Sequence, residues 1–444
     1  MSENTIFIHL CLLQNSSSTL LVFPPLPNPF GYNIKNLANF SQPDAPLCSS
    51  QFHFHPSKNR DDPPLGVVTC SVSSKASISV LTNSPFLTYF SVRLQKIAQF
   101  LSTQHEVTKD IFIQSYNLLV CSAVPSPSPF EIESSYKSDT SLTKLLLKFP
   151  NDFFSILKLT LIDSKSVLLS TEESSSSMLY SLVSCNPGEV IRFDDVLSLC
   201  GVDVINPLLE LALPLKTSLD HHTLFTLPYV LLPTFVDKPF FAAMSNNILR
   251  TRNESVDVVI DVDNAKFVWN NKEIQRSVAM TSCDKKLAKT MVEKVKLYQQ
   301  NATNGMYEGS EHWLIMRCCT YIVSLLSYLC TLDIFEIDAE TDGKVSRSCD
   351  FGVDFMKRFL KTQMFEDWRK TLSLSGKATK LANLFSTTHP TTIPLIGKAS
   401  TTRGTLYDYE QLFDIKKVME DLGISGEEQM KERVDLGGDG VIEL

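Results

Sequence analysis

Glycine is scarce in this chain, at 16 of 444 residues, about half of the usual share of roughly 7%. None of the patterns G-x-x-x-x-G-K-[ST], G-x-G-x-x-G or G-x-S-x-G occurs. Phosphate-cradling loops and nucleophile elbows both need backbone that only glycine permits, so both are excluded. Histidine offers no metal set. His53 with His55, and His221 with His222, are close pairs without a third ligand at helical or turn spacing, and loop histidines are expected there. The 11 cysteines include no C-x-x-C pair, and most lie in apolar runs, as Cys11, Cys70, Cys121 and Cys330 do. Reduced thiols serving as small core residues of a cytosolic protein are expected, rather than disulfides. Long apolar runs are missing too. The longest uncharged one, residues 318–332 between Arg317 and Asp333, falls short of the roughly 20 residues that span a bilayer. The apolar stretch 5–13 follows Glu3 with no Lys or Arg before it, and reads as a buried strand rather than a leader. With a net charge of -8, no nucleic-acid partner is expected. No catalytic residue, cofactor or metal is expected either.

What is present is 43% apolar residues in a chain with room for two or three packed units. The charge is unevenly placed. Residues 408–444 carry eleven acids against four bases, whereas 368–407 carry Arg369, Lys370, Lys377, Lys380, Lys398 and Arg403 without an acid. A cation-only segment can rest on anionic lipid. Here Leu381, Leu384, Phe385, Ile393 and Ile396 are expected to dip into the headgroups. Near the end, residues 435–442 resemble the start of an EF-hand loop. Gly437 stands where an oxygen ligand belongs, so a solvated acidic segment is expected instead.

Along the chain, 5–12 and 19–23 read as paired strands, as do 65–72 and 76–81, followed by an amphipathic helix over 87–101 with Phe90, Leu94, Ile97 and Leu101 on one face. Residues 122–140 alternate Pro125, Pro127 and Pro129 with small polar residues and read as a linker. Beyond it come a helix at 151–162, a strand at 166–169, a hydroxyl-capped helix at 174–182, strands at 224–232 and 256–262, and helices at 283–299, 310–332 and 350–372. The expected fold class is α/β, a sheet lobe followed by a second lobe whose sheet is covered by late helices. Domains are expected at 1–121, 143–385 and a flexible 386–444, with 122–142 as linker.

The last two helices carry the most specific residues. Trp313, Met316, Thr320, Val323, Leu326 and Cys330 form one apolar stripe, and Phe351, Phe355, Phe359, Thr362 and Phe365 another, with Lys357, Arg358 and Lys361 turned outward. Trp313, Tyr321, Phe355 and Trp368 are the expected structural anchors. The Gly-Ser-acid-x-Trp start at 309–313, the mid-helix Tyr321, then Phe-Gly-x-x-Phe, Lys-Thr and a closing Trp resemble the end of the DENN domain in the Avl-type, late-secretory-pathway branch of that family. Residues 76–100, 145–188, Leu227-Pro228-Tyr229, 240–249 and 257–263 resemble its earlier segments in order, so that the likeness covers roughly residues 5–370. Two departures stand out: Met244 replaces the glycine of the family's turn, and the insert after Pro187-Gly188 is short.

The resemblance implies a longin-like N-terminal lobe over 1–121 and a DENN lobe over 143–385. It implies binding to a Rab-type small GTPase, with guanine-nucleotide exchange or a non-catalytic adaptor role as alternatives, in Golgi-to-surface traffic on cytoplasmic membrane faces. Ser245, Asn246, Asn247, Asp261 and Asp263 are the candidate GTPase contacts. Each has a plainer reading, a turn satisfied by its own Asn side chains.

Overall fold

The computed structural model describes residues 8–14, 21–23, 50–55, 65–73, 76–82, 87–104, 107–121, 141–171, 175–186, 223–226, 229–300, 308–332, 350–376, 378–382 and 389. The expected linker up to residue 140, His221 and His222, the EF-hand-like stretch, and the segment 386–444 apart from His389 lie outside them.

The first sheet is antiparallel, in the order β2-β1-β5-β4-β3. It is built from β1 (Ile8–Gln14), β2 (Leu21–Phe23), β3 (Ser50–His55), β4 (Leu65–Ser73) and β5 (Ala76–Thr82). Helices α1 (Leu87–Ser102) and α2 (Lys109–Cys121) follow. Helix α1 lies on β4, β5 and β3 and buries Phe90, Leu94, Ile97 and Leu101, the face expected from its spacing. His53 and His55 stand on strand β3, where a loop was expected.

Helices α3 (Ser141–Lys148) and α4 (Phe153–Leu159) lead into β6 (Lys165–Leu169), and α5 (Ser175–Val183) follows it. Helix α3 begins inside the last two residues of the expected linker. The second sheet has the order β10-β9-β6-β8-β7, with β7 (Thr223–Thr226), β8 (Phe240–Met244), β9 (Val258–Asp261) and β10 (Lys266–Trp269). Strands β7, β8, β6 and β9 are mutually parallel, and β10 closes the edge antiparallel to β9. Both faces are covered, as parallel sheets require. Leu168, Phe241, Ala243, Val258 and Ile260 face the main core, while Val167, Leu169, Phe240, Ala242, Met244 and Val259 face a smaller cluster with Leu232, Leu249 and Val256. The expected strand over 224–232 stops at Thr226, and Tyr229–Thr234 is a 3-10 helix containing Pro233; a proline cannot donate to a sheet ladder.

The sheets meet at their edges, β3 beside β7, under helix α5, which touches both. One continuous core joins them, from Leu10 to Leu381.

The remaining helices are α6 (Lys272–Ser277), α7 (Ser282–Gln300), α8 (Glu311–Thr331), α9 (Val353–Phe359), α10 (Gln363–Ser375) and α11 (Ala378–Ala382). Expectation placed a single helix over 350–372. The chain breaks it at 360–362, where Thr362 Oγ1 accepts from the Phe365 N–H at 3.2 Å and starts α10. A hydroxyl that caps a new helix competes with continuation of the old one. The aromatic stripe survives the break: Phe355, Phe359, Phe365 and Trp368 follow one another at ring separations of 6.0, 5.4 and 5.7 Å.

Helix α8 is buried on nearly all sides rather than along one stripe, which makes it the axis of the second lobe. By length and composition Trp313–Thr331 could cross a membrane, Arg317 included, but 89% of that stretch is buried by α3, α11 and their neighbours. Trp313, Tyr321, Phe355 and Trp368 are all buried. Among the described residues, Cys70, Cys185, Cys283, Cys318, Cys319 and Cys330 are free thiols. Burial pushes the Cys330 thiol up to about 12.

Candidate functional site

In open α/β sheets the ligand crevice lies outside the carboxyl ends of the strands, where neighbouring strands send their connections in opposite directions. Here that point falls between β6 and β8. The chain leaves β6 towards β7, and leaves β8 back across β6 to β9. The five residues singled out from the sequence converge on this edge. Ser245, Asn246 and Asn247 follow β8, and Asp261 and Asp263 close β9.

Each of these side chains but Ser245 has an intramolecular task. Asn246 caps the 3-10 helix Asn247–Arg250, its Oδ1 accepting from the Ile248 N–H at 3.0 Å. Arg250 reaches from this turn across the end of β6. Its Nε donates to Asp261 Oδ2 at 2.8 Å, its Nη2 to Asp263 Oδ2 at 2.6 Å, and its Nη1 to Asn247 Oδ1. Asp263 also accepts from Ser170 Oγ at 2.6 Å, and from the Thr171 N–H and Oγ1, both at 2.8 Å. Asp261 accepts from the Asn264 side chain at 2.7 Å.

Burial alone would push both carboxyls up. The Arg250 and Asn264 bonds at Asp261, and the Ser170, Thr171 and Arg250 bonds at Asp263, outweigh it and hold both below the ordinary carboxylate range. The two carboxylate side chains are only 6% exposed. Sequence reasoning named the acids and missed Arg250, which turns an apparent acidic rim into a closed ion-pair network. Met244 ends β8 fully buried, and it is not among the described residues with positive φ, so this turn does without the glycine that the resemblance expects. Asn247 and Ile248 are exposed, Ile248 at 42%.

A second polar cluster had no sequence signal. Asp284 of α7 pairs with Lys158 of α4 at 2.6 Å, both side chains 0% exposed. Its Oδ1 accepts from Tyr321 Oη of α8 at 3.0 Å and lies 3.1 Å from His389 Nε2, and its Oδ2 accepts from the Thr281 N–H at 2.8 Å. Lys158 Nζ also sits 5.2 Å over the Phe355 ring. Burial would push the Asp284 carboxyl up, but the His389 bond and Lys158 hold it below the usual range. Lys158, Asp284, Tyr321 and His389 come from distant positions in the chain and are sealed from solvent. They fasten four segments together and offer no route for a substrate.

His389 shows that the core reaches past residue 385, the expected end of the lobe. Leu381 is fully buried as well, with its carbonyl accepting from Ser327 Oγ at 2.7 Å. It is therefore unavailable for the membrane-dipping role expected of it within 368–407. On helix α10, Trp368 and Leu372 are buried and Leu374 is 89% exposed.

A mixed α/β protein of two joined sheets is thus defined, with its switch point closed by its own side chains; among the described residues no His, Cys, Asp and Glu group could hold a metal. The family model for the transport protein Avl9 matches residues 48–329, a span that runs from β3 into α8 and holds three strands of the first sheet and all five of the second. The chain belongs to that family, whose members act in membrane traffic. No curated protein sequence matches the chain.

Proposed function

We propose that this chain is a DENN-type regulator that binds a Rab-family GTPase in Golgi-to-surface secretion, with a longin-like lobe at 1–121 and a DENN lobe at 143–385. The observation that carries the reading is membership of the transport protein Avl9 family, whose match runs from β3 into α8. The exposed Asn247 and Ile248 beside the closed network provide the docking edge, with Arg250 and its two Asp holding the turn rigid beneath them. Exchange needs no titrating side chain. A surface that holds the nucleotide-free GTPase more tightly than the loaded one lowers the barrier to nucleotide loss.

One observation favours a second reading, an adaptor that binds without exchange. Asp261 and Asp263 are both ion-paired with Arg250, so both carboxylates are engaged and neither is offered to the nucleotide's magnesium ion. Release of fluorescent GDP from a panel of Rab proteins separates the two. Exchange predicts faster release from one Rab, an adaptor predicts a complex with unchanged release, and absence of any complex overturns both. Ile248→Asp should weaken the complex at least tenfold, the scale of an interface anchor, while leaving the fold intact because the side chain is exposed.

A further inference from the structure

The amino edge of the parallel sheet, opposite the closed network, is basic although the chain as a whole is acidic. Strand β10 runs back along β9, so that Trp269 pairs with Val258 at the amino end. The Asn270 and Asn271 N–H groups then bond the Asp257 carbonyl at 2.9 and 3.1 Å, which starts α6 at this edge. Helix α7 begins here too, because Asp284 is tied to Lys158 just ahead of β6. Thr281 Oγ1 donates to the Asp350 carbonyl at 2.7 Å, and α9 packs on α6. The three helices therefore form one corner.

Lys272 and Arg276 of α6, Lys285, Lys286 and Lys289 of α7, and Lys361 after α9 are all exposed. Among the described residues none of the six has a carboxylate within ion-pairing distance. Acids near the corner include Asp152, Asp257, Glu273, Asp350 and Asp354; Glu273 is already engaged by Arg358 at 3.2 Å, and the Asp257 carboxylate by the Lys165 N–H at 2.8 Å and Asn271 Nδ2 at 2.9 Å. Farther along the outer side of α7 come Glu293, Lys296 and Leu297, the last 40% exposed. Cations beside an exposed aliphatic side chain on a helix suit a lipid headgroup layer. Single-stranded nucleic acid would stack on aromatic platforms, and the aromatic among the large exposed apolar residues described, Phe100, lies on α1 of the first lobe and not on these three helices.

We infer that the α6–α7–α9 corner docks the protein on an anionic membrane, leaving the carboxyl edge of the sheet free to face the cytoplasmic partner. The occupant is the lipid surface itself, because a transport protein works against membranes and six exposed cations on adjoining helices, without an ion-pair partner among the described residues, match a plane of negative charge. The inference uses none of the cations of residues 368–407 and does not depend on GTPase binding.

The test is retention of the full chain on vesicles of phosphatidylcholine with and without phosphatidylserine, at low and at physiological salt. Each cation near such a surface changes partitioning about fivefold. The variant Lys285→Glu/Lys286→Glu/Lys289→Glu should thus lose on the order of a hundredfold in partitioning on anionic vesicles, and wild-type retention should fall as salt rises. A control with the same net-charge change on exposed lysines elsewhere, Lys96→Glu/Lys109→Glu/Lys266→Glu, should lose far less. The inference is overturned if wild type ignores phosphatidylserine, if the α7 variant is retained like wild type, or if both triple variants fall equally. The α7 variant should still bind its GTPase, so that this failure is distinct from failure of the proposed function.

Discussion

Asp284 is a buried carboxylate whose every oxygen is spoken for, by Lys158, Tyr321, His389 and the Thr281 amide. A buried pair of this kind adds little over a well-packed apolar pair, yet breaking it by removing one member is costly, because the other charge stays buried alone. Asp284→Asn should lower stability by about 3–5 kcal/mol, read from chemical denaturation. Asp284→Leu with Lys158→Met should recover much of that loss. If the single variant is as stable as wild type, Lys158 has found another counter-charge. Neither residue announces itself in the sequence, since an Asp and a Lys 126 positions apart look like any other surface pair. Arg250 is a nearer miss. It stands four residues after Asn246 and eleven before Asp261, inside the very stretch chosen as a candidate contact. A local Arg between an Asn turn and a D-x-D strand was a usable sign that the acids were already matched.

Secondary elements show best why the Gly-Ser-acid-x-Trp motif has its composition. Gly309 adopts φ of 96°, and a Cβ there would come within 2.3 Å of the Lys294 carbonyl oxygen, so only glycine lets α7 and the start of α8 approach. Glu308 pairs with Lys294. Ser310 Oγ caps α8 by accepting from the Trp313 N–H at 3.2 Å. Glu311 caps a different helix. Its Oε1 accepts from the Leu142 N–H at 2.7 Å, and its Oε2 from the Thr143 N–H and Oγ1 at 2.9 and 2.8 Å, at the start of α3. Trp313 then enters the core under the Arg317 guanidinium, 5.5 Å from the ring.

Two predictions belong to this motif. Glu311→Ala strands two buried amides and should cost about 3 kcal/mol or more, with loss of hydrogen-exchange protection concentrated in 141–148; protection unchanged there would contradict the cap. Trp313→Ala should cost about 3–5 kcal/mol, and a thermal midpoint unmoved by that change would make α8 a surface helix. Periodicity made α1, α7 and α8 legible because each has a long apolar repeat. It failed where a single side chain decides the backbone. Thr362 splits the expected last helix, Pro233 lies in a 3-10 turn in place of a strand, and β3, β10, α2 and α3 carry patterns too short or mixed to read.

The whole molecule is fastened by carboxylates that must stay ionised, and this fixes its response to acid. Asp284 joins α4, α7, α8 and residue 389, and Asp261 and Asp263 join the ends of β6, β8 and β9. All three are held below the ordinary range in the folded chain, against the upward push of burial. A carboxyl with a depressed folded value contributes stability that is fully present above its unfolded value, about 3.9 for Asp. That contribution is lost as pH falls through the folded value, because the unfolded chain then takes up protons that the folded chain resists. Asp152 acts in the opposite sense, since burial raises it, but it is one group against three. The thermal midpoint should therefore be nearly flat from neutral pH down to about 5 and fall steeply below about 4. Asp284→Asn removes the most buried of the three. Its midpoint should lie well below wild type at neutral pH and approach it in acid, since the variant has no proton to gain at that position. Two midpoint curves that stay parallel from neutral to acid would mean that the Asp284 carboxyl is not the ionised centre of the cluster, and that Lys158 is neutralised in some other way.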